Sequence, residues 1–352
     1  MERPIFKPIG TPTEELDTPS LIVDGDVLNE NIETMASFFR DRPQKLRPLV
    51  SSHRSPTIAH KQIRAGGTVE GIAVTTLGQA EIFITSGFTD VYIANLVVTK
   101  AKITRLCALS KQATVTVAVD SQANVNDLND NATRKNTTIR VIIYVNAGGG
   151  LFGVDHGHQA INIKSTITNA SNLELVGITG GGAVDDLLDT KRAIDNVGIP
   201  VYNVAINGEA DYKRVGMTEG VTEVLAGSYA LMDHSRRELF PEFKCAGRIM
   251  STVTSRPEPG YMITDGGQKS IGADTGFPSI DNLPESSVKG LSAEHGSIYF
   301  SQSKHCNPQL GDKVWCTPHD IATCVNLHDY MFIVSDGTLE AIWDVPARGR
   351  YR

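Results

Sequence analysis

Apolar runs alternate with amphipathic segments from Pro19 to about Tyr229. Nine of the runs are short and rich in β-branched residues, as buried strands are. These strand candidates are SLIVD (20–24), KLRPLV (45–50), VEGIAV (69–74), DVYIAN (90–95), ATVTVAV (113–119), IRVIIYVN (139–146), LELVGIT (173–179), IPVYNVAI (199–206) and TEVLAG (222–227). Segments with helical periodicity, such as residues 27–41, 55–67 and 77–87, lie between most of them. This order predicts parallel strands joined by helices.

Nine strands at this spacing predict an α/β fold, a parallel (β/α)8 TIM-type barrel with one extra strand. An open doubly wound sheet is the alternative, but no GxGxxG motif follows the first strand. After about Asp233, short apolar runs are separated by Pro, Gly, Asp and Ser, which predicts an antiparallel β domain. We therefore expect a barrel over residues 1–233 and a C-terminal β domain over residues 234–352, with which the first N-terminal strand region could pack.

The charge pattern restricts the possible partners. The chain has 352 residues and a formal net charge of -7, and its Lys and Arg residues are scattered among acids. This pattern offers no basic stripe to neutralise a nucleic-acid backbone, and no apolar run approaches the roughly 18 residues of a membrane span. We expect a small-molecule substrate, neither a nucleic acid nor a membrane as partner, and a cytoplasmic location.

The five cysteines lie at 107, 245, 306, 316 and 324, with no CxxC pair. This spacing argues against a disulfide scaffold or a zinc ribbon, so we expect free thiols in a reducing compartment. Three of the five lie close together near the C-terminal end, alongside His305, His319 and His328. A metal site, if one exists, would be sought in that stretch.

Several phrases of the sequence occur together in a fixed order. They are LDTPSLIVDGDVLNENI (16–32), LRPLVSSHRSP (46–56), TTLGQAEIF (75–83), DVYIANLVV (90–98), TEVLAGSYALMD (222–233), AEHG (293–296), GDKVW (311–315), CVNLHD (324–329) and ARGRYR (347–352). Through them the chain resembles the fold-type III pyridoxal phosphate (PLP) enzymes, specifically the D-threonine aldolase and D-serine dehydratase-like group, over nearly its whole length. The resemblance implies an alanine-racemase-like barrel, a C-terminal β domain and a homodimer.

The phrase at residues 46–56 departs from the family at the position on which its chemistry depends. In the family it reads RPHxKTHK, and its first lysine forms the Schiff base with PLP. Here Arg47, Pro48 and His53 keep the frame without a gap, and Ser51 stands at the lysine position. A hydroxyl cannot form an aldimine.

Other positions that the resemblance assigns to the cofactor have changed as well. Leu151 stands where the family's DxGxxRTG phrase carries an arginine toward the pyridine ring. The glycine-rich turn that offers N–H groups to the phosphate corresponds to AINGEA (205–210), where Glu209 would place a carboxylate beside a dianion. GGAV (181–184) replaces a Tyr-x-Gly-His phrase, and only AGSY (226–229) is kept. The resemblance therefore predicts that PLP has been lost.

The family's metal motif is altered too. Its P-x-H-x-C or P-x-H-x-D phrase aligns with PHDIA (318–322), so that Asp320 and Ala322 fall at the two ligand positions. A lone carboxylate is a poor site for zinc or manganese, and a relocated site would need His319 beside Asp320. We expect neither the family's cofactor nor a metal of the family type.

Three interpretations of function stay open. In the first, the pocket is reused by an enzyme without PLP, a lyase or isomerase with acid–base chemistry on a small amino-acid-derived or carbonyl compound. In the second, the chain is a non-catalytic paralogue that acts as a binding or dimer-partner protein. In the third and weakest, a PLP lyase for a β-hydroxy-α-amino acid uses Lys45 or Lys61. We favour the first, because Ser51 and Leu151 would leave an open and drier pocket.

The favoured interpretation assigns roles to individual residues. His53 and Arg54 follow a barrel strand, and the carboxyl ends of such strands host chemistry; Tyr229 and His295 look like active-site neighbours in the family. The predicted catalytic residues are His53, Tyr229, Ser51 and Asp320. The predicted substrate-binding residues are Arg47, Arg54, Ser228 and His295.

Overall fold

The computed structural model describes residues 7–148, 151–198, 200–283, 285–301 and 307–352. The chain divides into two compact units. The barrel unit comprises Met35–Ser51, Ile58–Gly227 and Arg350–Arg352, and the sheet unit comprises the chain up to Thr34, Ser52–Thr57 and Ser228–Gly349. The domain boundary predicted between residues 233 and 234 stays a prediction, because a compact unit need not be an independently folding domain.

The helices and strands have the following bounds. The helices are α1 (Gly25–Arg40), α2 (Pro56–Ala65), α3 (Leu77–Thr85), α4 (Lys100–Leu109), α5 (Gln122–Lys135), α6 (His158–Thr168), α7 (Val184–Asn196), α8 (Tyr212–Val215) and α9 (Ile321–Val325). The strands are β1 (Ser20–Asp24), β2 (Lys45–Pro48), β3 (Ile72–Val74), β4 (Asp90–Leu96), β5 (Thr114–Val119), β6 (Ile139–Ala147), β7 (Val154–Asp155), β8 (Leu173–Gly182), β9 (Asn203–Asn207), β10 (Glu223–Ala226), β11 (Gly247–Glu258), β12 (Tyr261–Thr264), β13 (Ser279–Ile280), β14 (Ser286–Leu291), β15 (Gly296–Phe300), β16 (Lys313–Thr317), β17 (Tyr330–Ser335) and β18 (Thr338–Asp344).

The barrel unit is a ring of parallel strands in the order β2-β10-β9-β8-β6-β5-β4-β3. Single parallel bridges from Leu46 to Thr68 and from Leu49 to Ala73 join the two ends, so the ring is nearly closed. The β-branched runs form strands that are buried almost throughout, as in TVTVAV of β5, because helices cover one face of a parallel sheet and the barrel interior covers the other. The predicted parallel barrel is confirmed.

The barrel interior is filled by side chains from successive strands. One layer contains Ala73, Tyr92, Ala118, Ile142, Ala205 and Leu225, all buried. Nearer the amino ends of the strands, Arg47 forms ion pairs with Glu223 and Asp90, with nitrogen–oxygen distances of 2.6 and 3.0 Å. The barrel is therefore a packed core, and chemistry belongs at its ends.

The sheet unit is built around a mostly antiparallel sheet. Its strand order is β14-β15-β12-β11-β1-β17-β18, with β16 pairing to β11 and β13. The first predicted strand, SLIVD, is β1, which pairs with β11 and β17 and is the extra strand of the barrel prediction. Among the residues that the structure describes, no helix has the length and apolarity to cross a membrane.

Candidate functional site

The carboxyl-terminal mouth of the barrel unit is where a fold of this kind places its chemistry. The interior layer fixes which side chains reach it, because side chains alternate along a strand and the residue two positions further points to the same side. The residues at the mouth therefore lie two positions after the interior residues Ala73, Ala118, Ile142, Ala205 and Leu225. The residues so placed are Thr75, Asp120, Tyr144, Asn207 and Gly227.

Ser51 lies at the mouth in a closed network of uncharged groups. Its hydroxyl donates to Gln79 Oε1 at 2.7 Å and accepts from Thr75 N at 2.9 Å and from Thr75 Oγ1 at 3.1 Å. Asn95 Nδ2 donates to Thr75 O at 3.0 Å. Ser51 is only 7% exposed, so the network takes up the space and the hydrogen-bonding capacity at the position where the family carries lysine.

The hydrogen-bond network around Ser51 does not place a general base next to its hydroxyl. Its hydrogen-bond partners among the described residues are Gln79 and Thr75, whose amide and hydroxyl groups do not take up protons near neutral pH. A serine nucleophile needs an adjacent base to become reactive. The catalytic role of Ser51 stays a prediction, and this geometry supports it only as a hydrogen-bonding residue.

A carboxylate holds a backbone amide at the same mouth. Glu209 Oε1 accepts from Gly227 N at 2.6 Å, and Asn207 Oδ1 accepts from Glu209 N at 2.9 Å. Gly227 follows β10 directly, and a free amide at such a strand end is the kind of donor that holds a phosphate. Here the Glu209 carboxylate is the anion that accepts from the Gly227 amide.

These residues do not fit covalently bound PLP. The Ser51 position has no amine, Glu209 faces the Gly227 amide where a dianionic phosphate would be repelled, and Leu151 is 89% exposed with no cationic group to offer a pyridine ring. Of the alternative lysines, Lys45 lies at the amino end of β2, where its Nζ donates to Phe39 O and Arg40 O, and Lys61 lies on α2.

Asp120 and Tyr144 are two polar residues at the mouth that the sequence analysis missed. Val119 and Ile143 are register partners in β5 and β6, so the next residues, Asp120 and Tyr144, are neighbours at the mouth. Asp120 Oδ2 accepts from Gly153 N at 3.2 Å, and the Tyr144 ring packs on Phe152 with centroids 4.4 Å apart. Burial raises the pKa of Tyr144, which keeps the phenol protonated as a hydrogen-bond donor.

A signal for this pair was present in the sequence. Asp120 comes directly after a strand, and Tyr144 lies near the carboxyl end of the next strand, where catalytic residues of barrels are found. A side chain at residue 181 would reach toward the phenol, since a Cβ there would lie 3.5 Å from Tyr144 Oη. Gly181 therefore leaves room beside Tyr144 for another molecule.

Three residues predicted from the sequence are buried in the sheet unit. His53 is 0% exposed, and its Nδ1 accepts from Ser55 N at 3.2 Å. Ser228 and Tyr229 are 3% and 4% exposed, and the Tyr229 ring packs on Phe243 with centroids 5.6 Å apart. Their roles at a site stay predictions, but in this structure substrate would have to displace protein to reach them.

Arg47, predicted to bind substrate, is buried in the barrel unit between Glu223 and Asp90. Its side chain is 7% exposed, and Nε and Nη2 both bond to the Glu223 carboxylate. A guanidinium occupied in this way has little left to offer a ligand. The structure thus gives Arg47 a role in the barrel core, and substrate binding by Arg47 stays a prediction.

Arg54 and Asp320 make local contacts in the sheet unit. Arg54 has a left-handed backbone (φ 53°), and its Nη1 donates to Ala322 O. Asp320 caps α9 by accepting from Thr323 N at 2.8 Å. These contacts position loops, and the catalytic and binding roles predicted for the two residues are left as predictions.

A metal centre is not assembled in the described part of the chain, where no group of three or more His, Cys, Asp or Glu side chains is placed to hold an ion. His319 Nδ1 lies 3.3 Å from Thr275 Oγ1, and its ring is 6.2 Å from that of His234. His305 and Cys306 fall outside the described residues.

Cys107, Cys245, Cys316 and Cys324 are free thiols, as predicted, and burial raises the pKa of both Cys316 and Cys324 to about 12.

His295 is exposed at a cavity of about 660 Å³ in the sheet unit, which is also lined by Lys269, Glu294 and His328. His328 is more enclosed, and its Nε2 lies 2.8 Å from Ser270 O. Since a carbonyl only accepts, Nε2 carries a proton and donates. Burial lowers the pKa of His328, because the charged imidazolium loses hydration there.

The lowered pKa of His328 predicts a loss of stability on acidification. The unfolded chain binds a proton at its histidines near pH 6.5, whereas folded His328 takes one up only at lower pH. The free energy of unfolding should therefore fall as the pH drops below about 6.5, since the unfolded state then binds more protons. Urea unfolding across this range should show a weaker pH dependence in His328→Gln than in the parent. The exposed His295→Gln is the control, and an equal change in both variants would contradict the prediction.

Comparison with known proteins relates these features to families. Residues 23–197 match the family "Alanine racemase, N-terminal domain", and residues 246–334 match "Putative serine dehydratase domain". D-threonine aldolase of an Arthrobacter species is 27% identical, covering 97% of this chain and 95% of that protein. 3-Hydroxy-D-aspartate aldolase of Paracoccus denitrificans is 28% identical, covering 97% and 94%. The crystal structure of D-threonine aldolase from Filomicrobium marinum superposes with a TM-score of 0.92 at 29% identity, covering 97% of this chain and 99% of that one.

These matches confirm the family resemblance and the alanine-racemase-like fold expected from the sequence. The two relatives are named as aldolases, which are lyases, so the enzyme interpretation is supported over a non-catalytic one. The chain is therefore homologous to D-threonine aldolase and 3-hydroxy-D-aspartate aldolase, which supports a lyase-like enzyme, and it has an alanine-racemase-like barrel and a C-terminal antiparallel sheet.

Proposed function

We propose that the protein is a lyase that works without PLP or a family-type metal and cleaves a small β-hydroxy carbonyl compound by acid–base chemistry at the barrel mouth. The observation that carries the proposal is the network of Ser51, Gln79 and Thr75, because it occupies the lysine position with groups that cannot bind the cofactor covalently. Glu209 on the Gly227 amide supports the same conclusion.

A lyase that works without a covalent cofactor is restricted in its substrate class. Cleaving the carbon–carbon bond of a β-hydroxy compound leaves an electron pair on the α-carbon, and in an α-amino acid that pair needs an electron sink such as PLP. A ketone accepts the pair on its own oxygen as an enolate, which a hydrogen-bond donor stabilises. D-threonine and 3-hydroxy-D-aspartate, the compounds in the relatives' names, both carry a β-hydroxy group. A β-hydroxy ketone or a γ-hydroxy-α-keto acid is therefore the substrate class that we favour.

Asp120 and Tyr144 suit the two proton transfers. Asp120 takes the proton from the β-hydroxyl, the carbon–carbon bond breaks, and the electrons move to the carbonyl oxygen, to which Tyr144 gives its proton. An aldehyde and an enol leave, and the phenol regains a proton as Asp120 loses one to water. The raised pKa of Tyr144 keeps it protonated for this step, and its neighbour Gly181 leaves room for the carbonyl group.

The resemblance also leads us to propose a homodimer in the cytoplasm, with a small-molecule substrate and without nucleic-acid or membrane partners. The net charge of -7 with scattered basic residues fits this proposal. The named relatives leave the assembly and the location open.

The Tyr144→Phe variant tests the proposed function. Protein dialysed against hydroxylamine to remove any PLP should still cleave a β-hydroxy ketone or a γ-hydroxy-α-keto acid. Tyr144→Phe and Asp120→Asn should each lower kcat by roughly 10²- to 10⁴-fold, the usual contribution of a general acid or base. Tyr202→Phe, a 78% exposed tyrosine of the same unit, should leave kcat unchanged.

Two results would contradict the proposal. Cleavage of D-threonine or 3-hydroxy-D-aspartate that appears only with added PLP would favour a cofactor-dependent lyase. Ligands that raise the melting temperature without any turnover would favour a non-catalytic binding protein. His53→Ala, measured in the same assays, separates the buried histidine from the mouth residues, because only an active-site histidine should lower kcat while the protein stays folded.

A further inference from the structure

A face of the sheet unit combines charged and apolar side chains in register. Ile22 of β1 lies opposite Arg248 of β11 and opposite Phe332 of β17, while Asp24 lies opposite Val334. Register partners project to the same side of a sheet, as do residues two apart on one strand. Both charges therefore stand on one face with the apolar residues. The same rule adds Trp315, the partner of Met250 two positions beyond Arg248.

The N-terminal segment of residues 10–16, here called the strap, lies over this face. Gly10 N donates to Leu339 O at 2.8 Å and Thr13 N donates to Gly337 O at 2.9 Å, and Leu16 belongs to the same apolar cluster as Ile22 and Val334. A cavity of about 350 Å³ lies where the strap meets the face. Its walls include Thr13, Glu14, Ile22, Asp24, Arg248, Trp315 and Val334.

The cavity wall holds polar groups that the described residues leave without a hydrogen bond. The Thr13 hydroxyl is one: the residue is 6% exposed, and Oγ1 has no partner. Arg248 Nε, which lies 3.2 Å from Asp281 Oδ2, has no hydrogen bond of good geometry, and 39% of the side chain is exposed. A buried polar group without a partner costs stability, so the Thr13 hydroxyl is a group that a bound molecule would satisfy, whereas Arg248 Nε faces the Asp281 carboxylate.

Asp24 and Arg248 of the wall each have a protein partner but are not paired with each other, and Arg248 pairs with Asp281. Asp24 Oδ1 accepts from Asp26 N and Val27 N, which caps α1, and no ion pair forms between Asp24 and Arg248 in the described part of the chain. With Glu14, which also lines the cavity, the wall contains one guanidinium and two carboxylates, so each end of a zwitterion would find an opposite charge there.

We infer that this cavity binds a free α-amino acid with a branched apolar side chain, such as leucine. The fork of Arg248 suits the carboxylate, which guanidinium groups bind in bidentate fashion, and the Thr13 hydroxyl lines the same cavity. Asp24 suits the ammonium group. Ile22, Val334 and Trp315 form the apolar walls that small-molecule sites use for the rest of a ligand.

Trp315 provides a direct readout. The chain has two tryptophans, so Trp343→Phe leaves Trp315 as the only one, and its fluorescence should change saturably as leucine is added. Arg248→Gln in this background should weaken binding roughly tenfold to a hundredfold, as expected for a lost charged hydrogen bond. Arg237→Gln is a matched control, because Arg237 is also 39% exposed and also pairs with Asp281, yet does not line the cavity. It should leave the affinity unchanged.

A milder variant keeps the test decisive if Arg248→Gln does not fold. Thr13→Val keeps the shape of the residue and removes one hydrogen bond, so the affinity for leucine should fall roughly two- to tenfold. The inference is overturned if leucine causes no saturable change up to its solubility limit, or if Arg237→Gln weakens binding as much as Arg248→Gln. Isocaproate or isoamylamine binding as tightly as leucine would overturn the assignment to an amino acid, since each lacks one of its two charges.

Discussion

Purified from cells grown with excess pyridoxine, the protein should contain no covalently bound PLP, and Ser51→Lys alone should not create a stable adduct. A lysine at residue 51 would have to enter a position that is 7% exposed and displace the hydrogen bonds of Ser51 with Gln79 and Thr75. The Glu209 carboxylate would still hold the Gly227 amide and repel a phosphate. Anchoring and orientation of a reactant can contribute roughly 7–11 kcal/mol, and the amine supplies none of it.

The combined variant Ser51→Lys with Glu209→Gly tests this explanation. Removing the carboxylate frees the Gly227 amide for an anion, so this variant should bind PLP more tightly than Ser51→Lys alone. Borohydride trapping followed by peptide mapping measures the adduct at residue 51 and separates it from adducts on surface lysines. Glu219→Gly, which removes an exposed glutamate of the same unit, is the control in place of Glu209→Gly.

Two outcomes would refute the first prediction. The unmodified protein could carry one PLP per chain that borohydride fixes to another lysine, such as Lys45 or Lys61. Alternatively, Ser51→Lys alone could give a stable adduct in one-to-one ratio with the chain, in which case Glu209 would not block the phosphate position. Equal PLP binding by the Glu209→Gly and Glu219→Gly combinations would refute the role of Glu209 specifically.

Arg47→Met should lower the free energy of unfolding by about 3–5 kcal/mol, as removal of one partner of a buried ion pair does. The Glu223 side chain is 11% exposed and would be left in the barrel core without its cation. Asn203 Nδ2 would still donate to Glu223 Oε1, but one amide cannot replace a bidentate guanidinium. Urea unfolding followed by circular dichroism measures the change.

Arg105→Met is the matched control for Arg47→Met. Arg105 also bonds to a carboxylate through Nε and Nη2, at 2.7 and 2.6 Å from Glu81, but the two side chains are 38% and 36% exposed. An ion pair in contact with water contributes about 0–1 kcal/mol, so this variant should change the unfolding free energy little. Similar losses in the two variants would show that burial does not set the difference. A small loss in Arg47→Met would instead return Arg47 to the candidates for substrate binding.

The sequence by itself determined the parallel barrel, the antiparallel sheet and the changed lysine position. Each of these depends on local order: β-branched runs with helical segments between them predict parallel strands, and the gap-free phrase around Ser51 fixes what stands at the lysine position. Patterns of this kind follow from the periods of strands and helices, which a few neighbouring residues are enough to set.

Tertiary structure alone decided which distant residues meet. Arg47 and Glu223 are 176 positions apart and become partners only because β10 pairs with β2 when the ring closes. Asp120 and Tyr144 become neighbours through the register of β5 and β6, and Ile22 and Arg248 through the register of β1 and β11. Strand registers depend on how the sheets close and on which face each strand buries, and a single sequence does not specify those pairings.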